Sequence, residues 1–155
     1  LLSVLKNLNQ EQVVFVEAES RKIGSLHVPD ALLEKMRASP CLKIEASLSA
    51  RVKFLQKDYA YFLEDPEELK KTIDFLKELH GKETLQHWKE LIDQKNWATL
   101  VEQLLEKHYD ALYRRSQNSN YVNYDQAPNY YTADLSAKGI QMLATEILKG
   151  QTSSS

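Results

Sequence analysis

The 155-residue sequence contains one cysteine, four glycines and four prolines. The single cysteine, Cys41, excludes an internal disulfide framework and a cysteine-rich zinc site, and it fits a reducing cytosol. No apolar run approaches the roughly 20 residues that a membrane-spanning helix needs, and the first residues carry no signal-peptide pattern. We therefore expect a cytoplasmic protein that is not inserted in a membrane.

Neither sign of charge dominates, because 20 Lys and Arg residues stand against 22 Asp and Glu residues. With a formal net charge of -2, any nucleic-acid contact would need a local basic patch. Glycine is too sparse for a phosphate-binding loop of the type G-x-x-x-x-G-K-[ST], and no such motif occurs. If the fold is of the nucleotide-binding type, that loop is expected upstream of Leu1. The chain starts without a methionine and directly in a helical pattern, so we expect a fragment, although processing could produce the same start.

The first part of the chain has an α/β pattern. Residues 13–16 form a continuous apolar run, which is typical of a strand buried on both faces. A helix is predicted over residues 29–38, with Pro at its start, and a second short strand over residues 41–46. Strand, helix and strand in this order predict a parallel βαβ unit with a right-handed crossover over about residues 1–46.

Residues 47–150 predict a mostly helical bundle with short connections. Asp65 is expected to cap a helix in which four apolar residues follow at helical spacing, namely Leu69, Ile73, Leu76 and Leu79. Trp88 and Trp97 fall on apolar stripes of later helices, so we interpret both as core residues. His108 falls on such a stripe as well and is interpreted as a core histidine.

The stretch 117–133 is polar, rich in Asn and Tyr, and lacks helical periodicity. It is expected to hold one strand near residues 129–132, or else a loop that only a partner orders. A last helix follows, with Gly150 expected at its end. The tail at residues 151–155 is expected to be disordered.

Acidic and basic side chains follow the first apolar run. Glu17 ends that run, and Glu19, Ser20, Arg21 and Lys22 come next. In P-loop proteins such an acid lies beside the phosphates and metal of a nucleotide, because ligands collect at the carboxyl ends of parallel strands. Ser20 could hold a phosphate or a metal-bound water, while Arg21 and Lys22 could neutralise phosphate charge. The alternative is an ordinary strand end and a solvated turn, since a strand followed by an acid is common.

The segment around residue 110 combines aromatic and basic side chains. Tyr109 and Tyr113 are four residues apart on a predicted helix and share a face; Asp110 and Arg114 have the same spacing and could pair. Such a face could stack on a base and hold phosphates. Alternatively, the tyrosines cover the core and the arginines favour the C-terminal end of the helix dipole. The four histidines are scattered, so no metal site is predicted.

The order of these pieces resembles the family of tRNA 2-selenouridine synthases, which have a rhodanese domain followed by a P-loop domain. The similar segments are residues 13–24, 28–32, 36–40 and 109–113, together with Arg51 and Tyr59. The most specific of them is E-x-E-S-R-x-I-G followed by V-P-x-x-L. The resemblance covers about residues 1–115 and implies the C-terminal part of the P-loop domain, a short parallel βαβ segment followed by a mostly helical bundle.

The resemblance implies an enzyme that replaces the sulfur of wobble 2-thiouridine in tRNA with selenium. Selenophosphate is the selenium donor, a geranylated intermediate forms from geranyl diphosphate, and no covalently bound cofactor is expected. The reactive cysteine of the family belongs to the rhodanese domain and its phosphate loop precedes this segment, so the chain alone is expected to be inactive. The residues that the resemblance assigns to diphosphate or tRNA binding are Glu17, Glu19, Ser20, Arg21, Lys22, Arg37 and Arg51.

Two other classes of function stay open. An NTP-hydrolysing P-loop switch domain is compatible with the apolar run that ends in Glu17. A non-catalytic helical interaction module is compatible with the bundle after residue 47. The first predicts nucleotide turnover once the upstream loop is present, and the second predicts a partner protein and no small ligand.

Overall fold

The computed structural model describes residues 2–9, 11–18, 21–121 and 123–152. The helices of this part are α1 (Leu2–Lys6), α2 (Asp30–Ala38), α3 (Leu48–Asp58), α4 (Pro66–Asp74), α5 (Lys82–Asp93), α6 (Trp97–Leu104), α7 (Asp110–Asn120) and α8 (Ala137–Thr152). The strands are β1 (Lys22–Ile23), β2 (Leu26–His27), β3 (Lys43–Ala46) and β4 (Asn129–Thr132). Short 3₁₀ turns occupy Ala60–Leu63 and Phe75–Glu78, and a π-helical turn, Leu105–Tyr109, joins α6 to α7. The chain is therefore mostly helical.

A two-stranded parallel sheet forms between β3 and β4, with Ile44 opposite Tyr130. Helices α3 to α7 lie between these strands in the sequence, so the connection is long, as parallel strands require. A second pairing, the antiparallel hairpin of β1 and β2, turns at Gly24, whose φ of 60° suits glycine. The strands expected at residues 41–46 and near 129–132 are thus confirmed.

The strand expected at residues 13–16 is wrong. These residues form no strand in the structure, and their side chains are exposed, Val13 by 69% and Phe15 by 48%. A strand exists only through hydrogen bonds to a neighbour, and β3, the neighbour that the βαβ unit required, pairs with β4 instead. No other strand of the described residues pairs with 13–16. Helix α2 therefore precedes β3 without crossing between two parallel strands.

The hydrophobic core lies among α4, α5 and α6. Its buried members are Ile73, Leu85, Trp88, Leu91, Ile92 and Leu100. Trp88 and Ile92 are fully buried, and the Trp88 indole N–H donates to Gln103 Oε1 at 3.0 Å, which satisfies the one polar group of that side chain. Trp97 packs against the core and stays partly exposed. The interpretation of both tryptophans as packing residues is confirmed.

The start of α4 follows its local signal, whereas two other expectations about helices differ from the structure. The Asp65 carboxylate accepts from the Glu68 N–H at 3.0 Å and caps α4 as expected. Leu79, expected on the apolar face of that helix, is 58% exposed, because the chain tightens into the 3₁₀ turn and the spacing of the apolar side chains changes. Helix α8 continues past Gly150 to Thr152, so Gly150 does not end it. Residues 153–155 of the expected tail lie outside the described residues.

None of the helices in the described ranges combines the length and the apolar character that a membrane span requires. The chain's four histidines include one close pair, in which His80 Nε2 and His108 Nδ1 lie 3.0 Å apart. The His80 ring also meets the Trp88 indole edge-on, with centroids 4.8 Å apart. His108 thus has the hydrogen-bond partner expected of it, but it is half-buried and not a buried core residue.

The His80–His108 pair predicts a pH-dependent stability. Burial lowers the pKa of His80, and the charges of His108 and Lys107 lower it further. Below the ordinary histidine pKa of about 6.5 the unfolded chain therefore binds more protons at this position than the folded chain. The stabilising contribution is present above that pH and is lost as the pH falls through the folded pKa. The free energy of unfolding is measured in urea between pH 7.5 and 5. In the His80→Gln variant it should fall less steeply with decreasing pH than in the parent. In the His27→Gln variant, changed on an exposed strand, it should fall as in the parent.

Candidate functional site

Tyr109 and Tyr113 form an exposed aromatic stack on one face of a helix. Their ring centroids are 5.9 Å apart with an interplanar angle of 11°, and the residues are 55% and 45% exposed. Tyr109 is the last residue of the π-helical turn, a local widening of the helix that is often found at functional sites. Arg114 follows directly, and its Nε donates to the Asp110 carbonyl oxygen at 3.3 Å. We name Tyr109, Tyr113 and Arg114 the tyrosine face.

A bidentate ion pair anchors this face to helix α3. Arg51 Nη1 and Nη2 donate to the two Asp110 carboxylate oxygens at 2.9 and 2.6 Å, and the side chains are only 25% and 23% exposed. The hydrogen bonds that Arg51 donates to Asp110 raise the pKa of the Arg51 guanidinium, which stays charged. The pairing of Asp110 with Arg114 that the four-residue spacing allowed is not formed between their side chains. A planar guanidinium 59 positions away matches the carboxylate with two parallel bonds instead.

Tyr124, in the loop before β4, is electrostatically coupled to the tyrosine face. Lys43 Nζ is 5.2 Å from the centre of the Tyr124 ring. Burial raises the pKa of Tyr124, the Glu45 carboxylate raises it further, and Arg114 opposes the shift. Burial also raises the pKa of Tyr113, with smaller contributions that include the Tyr124 phenol and the Glu17 carboxylate. Residues from the sheet, the loop and α7 are thus electrostatically coupled.

The acidic and basic residues after 13–16 are only partly described. Glu17 is exposed, and its charge makes a small contribution to the raised pKa of Tyr113. Arg21 pairs with Asp30 at 2.8 Å, and both side chains are well exposed. Lys22 lies in β1 opposite His27. Two further candidates of this segment, Glu19 and Ser20, lie outside the described residues.

The two candidate arginines further along the chain have different environments. Arg37 lies in α2, and its Nε is buried without a hydrogen-bond partner among the described residues. Arg51 directs its guanidinium at Asp110, so a phosphate there would compete with a carboxylate that already accepts two hydrogen bonds. The assignment of both arginines to phosphate or tRNA binding stays a prediction.

The sequence did not single out Lys43 and Tyr124. The only signal for Tyr124 was the Asn- and Tyr-rich composition of residues 117–133, and nothing in the sequence brought Lys43 near it. Among the described residues, no three His, Cys, Asp or Glu side chains are grouped as metal ligands would be. The described side chains of the site offer aromatic stacking, cation charge and carboxylate acceptors.

The family model of the tRNA 2-selenouridine synthase AAA domain matches residues 1–86, more than half of the chain. Among curated proteins, a tRNA 2-selenouridine synthase of Cupriavidus necator is 39% identical over 59 residues, which are 37% of this chain and 16% of that protein. The aligned part thus spans about a sixth of the relative's length. No solved structure matches the chain. The matched range includes Glu17 and Arg51, whereas the tyrosine face lies beyond it.

The Arg51–Asp110 pair is expected to stabilise the fold. A double-mutant cycle with Arg51→Ala and Asp110→Ala should give a coupling free energy of about 1.5–3 kcal/mol, as for charge-assisted hydrogen bonds with little exposure. The same cycle on Arg21 and Asp30, an exposed pair of the same residue types, should give less than about 1 kcal/mol. Urea unfolding of the two sets of variants measures both values. Equal coupling in the two cycles would contradict an anchoring role for Asp110.

Proposed function

Because the chain belongs to the family of tRNA 2-selenouridine synthase AAA domains, we propose that it is part of an enzyme that converts wobble 2-thiouridine in tRNA to 2-selenouridine. The reaction proceeds through a geranylated intermediate, with selenophosphate and geranyl diphosphate as substrates. Within this transferase, the chain contributes to the binding of tRNA and of diphosphate. A rhodanese domain and a phosphate loop elsewhere in the enzyme supply the remaining chemistry, and the enzyme acts in the cytoplasm, where its tRNA is.

The exposed Tyr109–Tyr113 stack supports a role in tRNA binding. Two aromatic rings with nearly parallel planes offer flat surfaces on which unpaired bases can stack. Arg114 adds a cation next to the rings, where a phosphate of the same nucleotide would lie. With a net charge of -2, the chain cannot attract RNA by bulk electrostatics, so a local contact of this kind is what binding needs.

The segment from Glu17 to Lys22 is the proposed contact to diphosphate. Arg21 is exposed, and its only described ion-pair partner, Asp30, is exposed as well, so a diphosphate could replace that carboxylate at small cost. Glu17 is proposed to orient a water or a metal ion near the phosphates. The charge of Glu17 contributes to the raised pKa of Tyr113, which supports a diphosphate and a tRNA base bound near each other, as a transfer between them requires.

Removal of a stacking ring should weaken tRNA binding. In the intact enzyme, Tyr113→Leu should lower the affinity for tRNA about tenfold, because base–aromatic stacking contributes about 1–3 kcal/mol per base. Tyr61→Leu, at another exposed tyrosine, should bind like the parent. Filter binding or fluorescence anisotropy measures the affinity, and a thermal melt verifies folding. Equal affinities of the two variants would count against the tyrosine face.

The proposed diphosphate contact has a control within its own ion pair. Arg21→Ala should lower the affinity of the intact enzyme for geranyl diphosphate about tenfold or more, since a charge-assisted contact is lost. Asp30→Ala breaks the same ion pair but keeps the cation, so its affinity should be unchanged or higher. Isothermal titration calorimetry measures both, and neither variant should melt much below the parent. A similar loss in both variants would show that the pair acts only through the fold.

A further inference from the structure

A lysine from the sheet and a tyrosine from the following loop meet next to the tyrosine face. Lys43 is the first residue of β3, and its Nζ lies 5.2 Å from the Tyr124 ring centre, within the range of a cation–π attraction. Both residues are half-buried. The strand and the loop are 81 positions apart at these two residues, so only the tertiary structure brings them together.

Backbone hydrogen bonds hold Tyr124 in this place. The Tyr124 N–H donates to the Tyr121 carbonyl oxygen at 3.3 Å, and its own carbonyl oxygen accepts from the Ala127 N–H at 3.2 Å. The end of the loop is bound to β3, where the Lys43 N–H donates to the Pro128 carbonyl oxygen at 2.8 Å. The same two segments that carry the side chains are therefore bonded to each other. The ring and the ammonium group are preorganised, which lowers the entropic cost of binding a ligand.

Tyr124 of this pair is electrostatically coupled to Tyr113 and Arg114 of the tyrosine face. The Tyr124 phenol raises the pKa of Tyr113, and Arg114 acts against the burial that raises the pKa of Tyr124. Glu45, exposed on β3, is also close to Tyr124 and adds an acceptor. An aromatic ring, a cation and a carboxylate are the three groups with which proteins bind the base, the phosphate and an N–H edge of an unpaired nucleotide.

We propose that Lys43 and Tyr124 form a second nucleotide site, which binds an unpaired nucleotide of the RNA next to the one on the tyrosine face. Tyr124 stacks on the base, Lys43 neutralises a phosphate, and Glu45 accepts a hydrogen bond from the base edge. This inference rests on the proposed function, in which Tyr113 contacts tRNA. It extends that contact from one helix to the sheet and gives the loop before β4 a role in recognition.

Two RNA probes separate the stacking role from the phosphate role. The intact enzyme is titrated with an eight-nucleotide oligouridylate and with an abasic strand of the same length, each at several salt concentrations. Tyr124→Leu should weaken oligouridylate binding about tenfold and leave abasic binding unchanged, whereas Tyr124→Phe should bind like the parent. Lys43→Gln should weaken the binding of both strands and reduce the slope of log affinity against log salt concentration by about 0.7. Lys77→Gln is the control for Lys43→Gln and Tyr61→Leu the control for Tyr124→Leu; both residues are exposed, and both variants should bind like the parent.

The outcomes distinguish this inference from the proposed function. If Tyr113→Leu weakens oligouridylate binding and Tyr124→Leu does not, the second site is wrong and the tyrosine face stands. If the parent enzyme binds neither oligouridylate nor tRNA, the proposed function fails and the second site fails with it. A melting temperature of Tyr124→Leu close to that of the parent, and retained binding by Tyr124→Phe, show that a loss comes from the missing ring and not from unfolding.

Discussion

The ion pair between Arg51 and Asp110 joins the segment after the sheet to the helix that carries the tyrosines. Two charge-assisted hydrogen bonds in a half-buried setting fix both planar groups, and Asp110 lies between Tyr109 and Tyr113 in the sequence. The orientation of the aromatic stack therefore depends on the position of Arg51. Helix α3 itself follows β3 directly and is capped by Ser47, whose hydroxyl accepts from the Ala50 N–H. The ion pair thus connects the tyrosine face, through α3, to the sheet.

The pairing of strands is the second constraint on this chain. A strand needs a neighbour whose backbone groups complement its own, and β3 finds that neighbour in β4, close to the other end of the sequence. This choice brings the loop before β4 next to the first residues of β3 and so creates the contact between Tyr124 and Lys43. Residues 13–16 have an apolar composition suited to a strand, yet their side chains are exposed and no strand of the described residues pairs with them.

The candidate site is assembled from segments that the sequence keeps far apart. Glu17 comes from the region that the family model matches, as do Lys43 and Arg51, whereas the tyrosines come from beyond it. A π-helical turn and an ion pair position Tyr109 and Tyr113, and backbone hydrogen bonds position Tyr124. Membership of the family follows from the first part of the chain, while the aromatic part of the proposed RNA contact depends on how the second part folds back onto it.

The sequence by itself determined the features that depend on neighbours a few residues away. The cap at Asp65 and the buried stripe with Trp88 follow from local hydrogen bonding and helical periodicity, and both are present in the structure. The tertiary structure alone decided which strand β3 pairs with and which cation Asp110 binds. For both β3 and Asp110 the sequence offers several chemically similar partners. The packing of distant helices decides which partner comes within hydrogen-bonding distance, and neither composition nor residue spacing specifies that distance.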